Sequence, residues 1–500
     1  MGRHSQGTAA AAIVIRNGDD GVANRRVYHS VTPGIVNELR SIVGDRYVHT
    51  GEDYLERYGH DEVPDPHYAH RPEVVVAPRT AGEISAIMRL ANRELIPVTP
   101  RGAGSGLSGG AVPIYGGIVL LSDRQNRIVD IDLANMMVEV EPGVITAEIN
   151  EELRGTGLFY AGYPMSLETC SIGGNVAENA GGGKAVKYGV TGRYVLGLEV
   201  VMPTGEIVQF GGKLVKDVTG YNMVQLMVGS EGTLGVFTRI WLRLTPEPRE
   251  SVDLLCFFAS LGEAIGLVPQ MMARAGIVPT AVEFIDGESF RRSCRYLNET
   301  LGDTPGSDGA AAVLIITVDG ADPDEVTRQY EAVGALCEDH GAIEIFVADN
   351  NTNSERVWKI RRSIAEAYAQ ISPHQTNEDL VVPPAEIPRL ISGMETIAKE
   401  YGVFVPAYGH AGDGNIHTRI VKNPSWSMAE WNERRPRMLE DLYRLTADLG
   451  GRLSGEHGIG HKRKEYMDRF VSPEYLQVLR SIKRAMDPNL ILNPGKIFDV

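Results

Sequence analysis

Long apolar runs, basic clusters and closely spaced cysteines are all missing from this chain. No segment approaches the roughly 20 apolar residues that span a bilayer, so no membrane span is expected. Lys and Arg number 49 against 65 Asp and Glu, a formal charge of -16. With no basic run to hold a phosphate backbone, nucleic acid is excluded as an expected partner. An anionic substrate meets an opposing overall field and depends on a few placed cations, such as Arg361. The four cysteines, Cys170, Cys256, Cys294 and Cys337, form no CxxC. That excludes a zinc ribbon or an iron–sulfur ligand set and points to a reducing, cytoplasmic setting.

What is there is an ordinary globular composition, 43% hydrophobic and 23% charged, in 500 residues. That length exceeds what one hydrophobic core serves, so two or more units sharing a cleft are expected. Residues 1–30 read as a disordered lead-in. From Pro72, PEVVVAP reads as a strand, and Thr80 with Glu83 forms a capping box that opens the helix AGEISAIMRLANRE. The runs IPVTP, GIVLLS, RIVDID and MVEVEPG follow, then a helix around ITAEINEELRGTG. VLGLEVVMPTGEIVQFGG reads as a hairpin turning at Pro203, Thr204 and Gly205. This unit, residues 31–246, is α+β and rich in glycine loops. Over 247–450, strand-helix-strand runs such as AVEFID, AAVLIITVDG and AIEIFVAD suggest one antiparallel sheet with helices on one face. ERVWKIRRSIAEAYAQ and IPRLISGMETIAKEYG read as helices. Residues 451–500 form a C-terminal segment.

PRGAGSGLSGGA contains Gly104, Gly106 and Gly109 in the GxGxxG spacing of dinucleotide-binding folds. That fingerprint needs a helix to start at the loop, whereas Pro113, Gly116 and Gly117 lead into the strand GIVLLS. A glycine run between two strands instead exposes successive backbone N–H groups, a nest suited to a pyrophosphate, with Arg101 adding charge. Two more glycine loops, SIGGNVAENAGGGKAVKYGV and VGSEGTLG, argue for one large ligand threaded through the unit.

Near the C-terminus, YGHAGDGNIH sets His410 and His417 on either side of four turn-forming residues. On one straight strand the odd separation would point the imidazoles to opposite faces; a bend lets them meet. Two neutral imidazoles and a carboxylate make a divalent-metal site, and Glu456 in SGEHGIG, between residues that let backbone approach closely, is the nearest carboxylate in kind.

At these residues the chain resembles the FAD-linked oxidases of the vanillyl-alcohol oxidase superfamily, in the branch of D-lactate dehydrogenases, glycolate oxidase flavin subunits and D-2-hydroxyglutarate dehydrogenases. The resemblance runs over residues 74–498 and rests on PRGAGSGLSGGA, IGGNVAENAGGGKAVKYGV, VGSEGTLG, YGHAGDGNIH, SGEHGIG and NPGKIF in the family's order. It implies a two-part FAD-binding domain with an α+β, ferredoxin-like substrate-capping domain and a C-terminal return segment. It implies FAD contacts at Arg101, Gly102, Ala103, Gly104, Ser105, Gly106, Leu107 and Ser108. Further contacts are implied at Gly173, Gly174, Asn175, Asn179, Gly181 and Tyr188, and at Glu231, Gly232, Gly235 and Asn493. Relatives that bind FAD covalently often carry a histidine where this chain has Ser105, which implies a non-covalent flavin.

The resemblance further implies that His410, His417 and Glu456 hold a zinc- or manganese-type ion, that His457 is the general base, and that Arg361 forks onto the substrate carboxylate. A divalent ion at the substrate hydroxyl lowers its pKa, and His457 takes the proton. The expected reaction is oxidation of a small D-2-hydroxy acid to the 2-oxo acid. In the 2-hydroxyglutarate branch a lysine serves the distal carboxylate, whereas TNEDLVVP here offers Asn377 and Glu378, which turns the expectation towards a monocarboxylate such as D-lactate or glycolate. D-2-hydroxyglutarate oxidation and a flavin-binding electron-transfer subunit remain the alternatives. With no cluster ligands of its own, the chain is expected to pass electrons to a quinone, a flavoprotein, a cytochrome or an iron–sulfur subunit, as a homo-oligomer or within a complex.

Overall fold

The computed structural model describes residues 12–14, 27–63 and 66–500. Of the expected lead-in, 1–11 and 15–26 lie outside the described residues. Ala12–Val14 pairs antiparallel with Val27–His29, and Tyr28 is buried, its hydroxyl donating to the Leu490 carbonyl at 2.6 Å. The chain is therefore anchored before residue 30.

The first core forms around a four-stranded sheet of Val48–His49, Val74–Val76, Ile118–Leu121 and Val98–Arg101, in that order. VVV and IVLL are buried throughout, as strands covered on both faces require. The helix Ala81–Glu94 packs over them, started by Thr80, whose hydroxyl accepts from the Glu83 N–H. Val98–Arg101 and Ile118–Leu121 pair in parallel, so residues 102–117 must cross over without a helix. This crossover is the first glycine loop.

A five-stranded sheet follows, built on the hairpin of Val195–Val201 and Ile207–Gly211 that turns through Pro203, Thr204 and Gly205. Gly205 has φ +95°, which the tight turn needs.

The third sheet has seven strands, every pairing antiparallel. Its helices cover both faces, not one. In Glu250–Phe258, Leu254 and Cys256 pack into the cluster that includes Val333 and Leu390, while Leu255 and Phe257 pack into the one that includes Phe290 and Ile360. Ala312–Gly320 is likewise buried almost end to end. Each such aliphatic side chain contributes about 1.5–3 kcal/mol when fully buried. A strand of unbroken apolar character fits only this two-sided arrangement. The helix expected through 355–370 is two, Asn351–Arg362 and Ile364–Ala369, because Ser363 leaves helical geometry at φ -92°, ψ 7°. Among the described residues no helix is long and apolar enough to cross a membrane.

Candidate active site

The polar cluster is a product of register in the seven-stranded sheet. Ala407–His410 and Asn415–Thr418 form a hairpin in which His410 faces Asn415 and Tyr408 faces His417. The turn at 411–414 resets the alternation, so both histidines occupy one face, diagonally related. Gly409 packs so closely that a Cβ there would lie 2.3 Å from the Asn415 carbonyl oxygen. On one side, Ala281–Asp286 places Glu283 beside His410; on the other, Glu378–Val381 places Asp379 beside His417.

Three side chains converge on that face. His410 Nε2 and His417 Nε2 are 3.3 Å apart, and the Glu456 carboxylate lies 3.7 Å from the first and 3.4 Å from the second. Ligands about 2.1 Å from one ion are separated by roughly 3–3.5 Å, so two imidazole nitrogens with the Glu456 carboxylate, its Oε2 towards His410 and its Oε1 towards His417, fit a divalent ion. His410 Nδ1 is held from behind by Glu283, the arrangement that fixes a ligating ring. A second combination, Asp379, His417, Glu456 and His457, also brings ligand atoms within 4.8 Å. Asp379 is otherwise engaged: its Oδ2 accepts from Ser454 Oγ at 2.6 Å and from the N–H groups of Gly455, Glu456 and His457 at 3.0, 2.9 and 2.8 Å. Asp379 thus positions the loop that carries Glu456 and His457, and the set with His410 is the better ion site.

Charge follows from these contacts. Burial pushes the Glu456 carboxyl up, but His410, His417 and His457 outweigh it and hold it at about 2. Burial also opposes charge on His410, yet Glu283 and Glu456 lift its pKa well above the usual value. A proton and a divalent ion compete for that same field. Burial lowers His457 to about 4 against the pull of Asp379, leaving a neutral imidazole stacked on His417 at 5.2 Å between centroids.

Arg361 is buried and donates through Nε to Glu283 Oε2 at 2.8 Å, while its terminal Nη2 is buried with no partner. Its guanidinium lies 4.7 Å over the Tyr408 ring. An unpaired buried donor of this kind calls for an acceptor.

Arg361, His417, Glu456 and His457 open on a cavity of about 380 Å³ shared with the glycine loops. From the implied FAD set, Arg101, Gly102, Ala103, Gly104, Ser105, Gly106, Leu107, Gly173, Gly174, Asn175, Gly181, Glu231, Gly232, Gly235 and Asn493 line it. Ser108, Asn179 and Tyr188 do not. The Ser108 carbonyl accepts from the His461 and Lys462 N–H groups. Asn179 closes the helix Ile172–Glu178 in the left-handed region and accepts from the Gly192 N–H. The Tyr188 hydroxyl donates to Asp319. His410 is also off the lining and meets the cavity through His417 and Glu456. The cradle fits a flavin nucleotide: a Cβ at Gly102 would lie 2.2 Å from Ser171 Oγ, so glycine lets the first two loops touch, and Arg101 Nε is buried without a partner. Glu231 binds the third loop to the return segment, accepting from the Ile459 and Gly460 N–H groups at 2.7 and 2.6 Å.

Sequence reasoning passed over Glu283, Asp379, Tyr408 and Arg419. Glu283 alone had a linear signal, as a charge with apolar residues on both sides in AVEFID.

The chain shares 38% identity over 445 residues with the glycolate oxidase subunit GlcD of Bacillus subtilis, covering 88% of this chain and 92% of that one. It shares 34% with the D-lactate dehydrogenase of Anaerostipes hadrus, covering 94% and 98%. A solved p-cresol methylhydroxylase superposes with a TM-score of 0.75 at 19% identity, covering 94% of this chain and 98% of that one, and shows the shared fold. Residues 72–211 match the FAD binding domain family and residues 247–497 the C-terminal domain of FAD linked oxidases. The chain belongs to the FAD-linked oxidases, in the D-2-hydroxy acid branch of the vanillyl-alcohol oxidase superfamily, and is an FAD-dependent oxidoreductase.

Proposed function

We propose that this enzyme oxidises a D-2-hydroxy acid to the 2-oxo acid through the 2-hydroxycarboxylate group that D-lactate and glycolate share. The observation that carries this is that Arg361, whose buried Nη2 has no partner, lines the same cavity as the His417–Glu456–His457 face and the glycine cradle. Arg361 would fork onto the carboxylate, for which a planar donor suits better than an ammonium. His410, His417 and Glu456 would hold a zinc- or manganese-type ion near the hydroxyl. His457, neutral at pH 7, would take the hydroxyl proton as the C2–H bond breaks and the carbonyl forms. When bound, FAD supplies the two-electron acceptor and the ion supplies positive charge that acidifies the hydroxyl.

Residues 31–246 would carry FAD, held non-covalently with Ser105 in the first loop; 247–450 would face the substrate, and 451–500 would return to close the site. Electrons would leave to a quinone, a flavoprotein, a cytochrome or an iron–sulfur subunit, since the four cysteines are buried and only Cys256 and Cys337 meet, too few to ligate a cluster. The subunit named in the B. subtilis relative supports a role inside a complex. The test is stopped-flow reduction of the His457→Ala protein: flavin is retained and its reduction by a D-2-hydroxy acid is lost. Reduction at the parental rate rejects His457 as the base.

A further inference from the structure

Two residues beyond His417, the alternation of the strand returns to the same sheet face and places Arg419 there. Its Nε donates to the Tyr408 hydroxyl at 3.1 Å, and it lines the cavity that Arg361 lines. Tyr408 therefore stands between two guanidinium groups, with Arg361 over its ring and Arg419 at its hydroxyl tip. The two are not equivalent. Arg361 has Glu283 for a counter-charge. Arg419 is half-buried, and among the described residues no carboxylate lies within ion-pair distance of it and no protein group accepts from its terminal nitrogens. The acid closest in register, Glu378, is fully buried and already taken by Lys462 at 3.0 Å, Arg463 at 3.6 Å and the Tyr443 hydroxyl at 2.5 Å. A half-buried fork of donors on a ligand cavity, with no protein acceptor at its tip, is placed to take an anion.

We infer that Arg419 is a second anion subsite and that the substrate is a D-2-hydroxy acid with a distal carboxylate, its C1 carboxylate on Arg361 and its far end on Arg419. This rests on the hydroxy-acid reading above and specifies its substrate class. The absence of a lysine in TNEDLVVP pointed to a monocarboxylate; the second cation comes instead from the neighbouring strand of the hairpin.

The test compares anaerobic flavin reduction by D-malate, D-2-hydroxyglutarate and D-2-hydroxyadipate with that by the chain-matched D-2-hydroxybutyrate, D-2-hydroxyvalerate and D-2-hydroxyhexanoate. A charge-assisted pair should make the half-saturating concentration of the best dicarboxylate at least about tenfold lower than that of its monocarboxylate partner. Arg419→Gln should bring the two within about threefold, with Arg419→Lys between. Calorimetric binding of 2-oxoglutarate, which needs no turnover, should weaken about tenfold in Arg419→Gln while that of 2-oxovalerate changes less. Bleaching by monocarboxylates with no dicarboxylate advantage, or an advantage that Arg419→Gln leaves in place, overturns the subsite alone. Bleaching by neither class overturns the hydroxy-acid reading, and the subsite falls with it.

Discussion

Arg361 meets Glu283 through Nε alone, at 2.8 Å, and keeps a buried, unpaired Nη2 in a side chain that lines the cavity. Lysine at this position would keep the charge but lose the fork. Arg361→Lys should raise the KM for the hydroxy acid about tenfold or more, the value of a charge-assisted hydrogen bond, while the visible flavin spectrum stays as in the parent. Steady-state kinetics beside absorbance spectra check both. An unaltered KM would remove Arg361 from the substrate.

Asp379 gathers Ser454, Gly455, Glu456 and His457 onto one buried carboxylate oxygen. Asp379→Ala strands two backbone donors, of Glu456 and His457, each worth about 1–3 kcal/mol when left buried and unpaired, while Gly455 keeps its bond to the Asp379 carbonyl at 3.1 Å. The variant should melt lower and lose the convergence of Glu456 with the two histidines, so that metal content falls together with Tm. Asp379→Asn, which keeps an acceptor oxygen, should melt between the two. Calorimetry with elemental analysis reads both effects.

How much of this was legible in sequence depends on where each signal lay. The glycine loops are linear motifs, and the residues that lead from Gly110 into GIVLLS already spoke against a helix; the parallel crossover at 102–117 bears that out. His410, His417 and Glu456 stand in short glycine-rich strings whose chemistry is local. Glu283, Asp379 and Arg419 do their work through strand register, across separations such as the 127 residues between Glu283 and His410, and alternation within one strand cannot reveal a partner on another. The helices on both faces of the large sheet were missed for a similar reason: an unbroken apolar run marks burial, but the second covering layer, Asn351–Arg362, is supplied from elsewhere in the chain.

Removing the ion should separate binding from chemistry. Chelation of the purified enzyme should abolish hydroxy-acid oxidation while the flavin band persists, because the glycine cradle and the ion ligands share a cavity but no residue of the cradle ligates the ion. One equivalent of zinc or manganese should restore activity. Activity that survives complete chelation would contradict the assignment of His410, His417 and Glu456.

Lys496 is buried, donating to the Val112 carbonyl at 2.6 Å and to Asn493 Oδ1 at 3.2 Å, and burial lowers its pKa from 10.5 to about 7 against the pull of Glu231. Between those two pKa values the unfolded chain holds a proton that the folded chain lacks, so stability rises with pH from about 7 to 10.5 and the penalty is fully present below 7. Lys496→Met removes the ionisable group. In FAD-free protein the Tm of the variant minus that of the parent should fall as pH is raised across this window. A difference independent of pH would show that Lys496 enters the fold fully charged.

The central claim is that FAD and an ion-anchored hydroxy acid meet in one cavity, and anaerobic mixing of the oxidised enzyme with D-2-hydroxy acids tests it most directly. The account predicts that the visible flavin band bleaches with a D-acid and stays unchanged with its L-enantiomer. Full retention of the band at saturating concentrations of every D-2-hydroxy acid tried would contradict it.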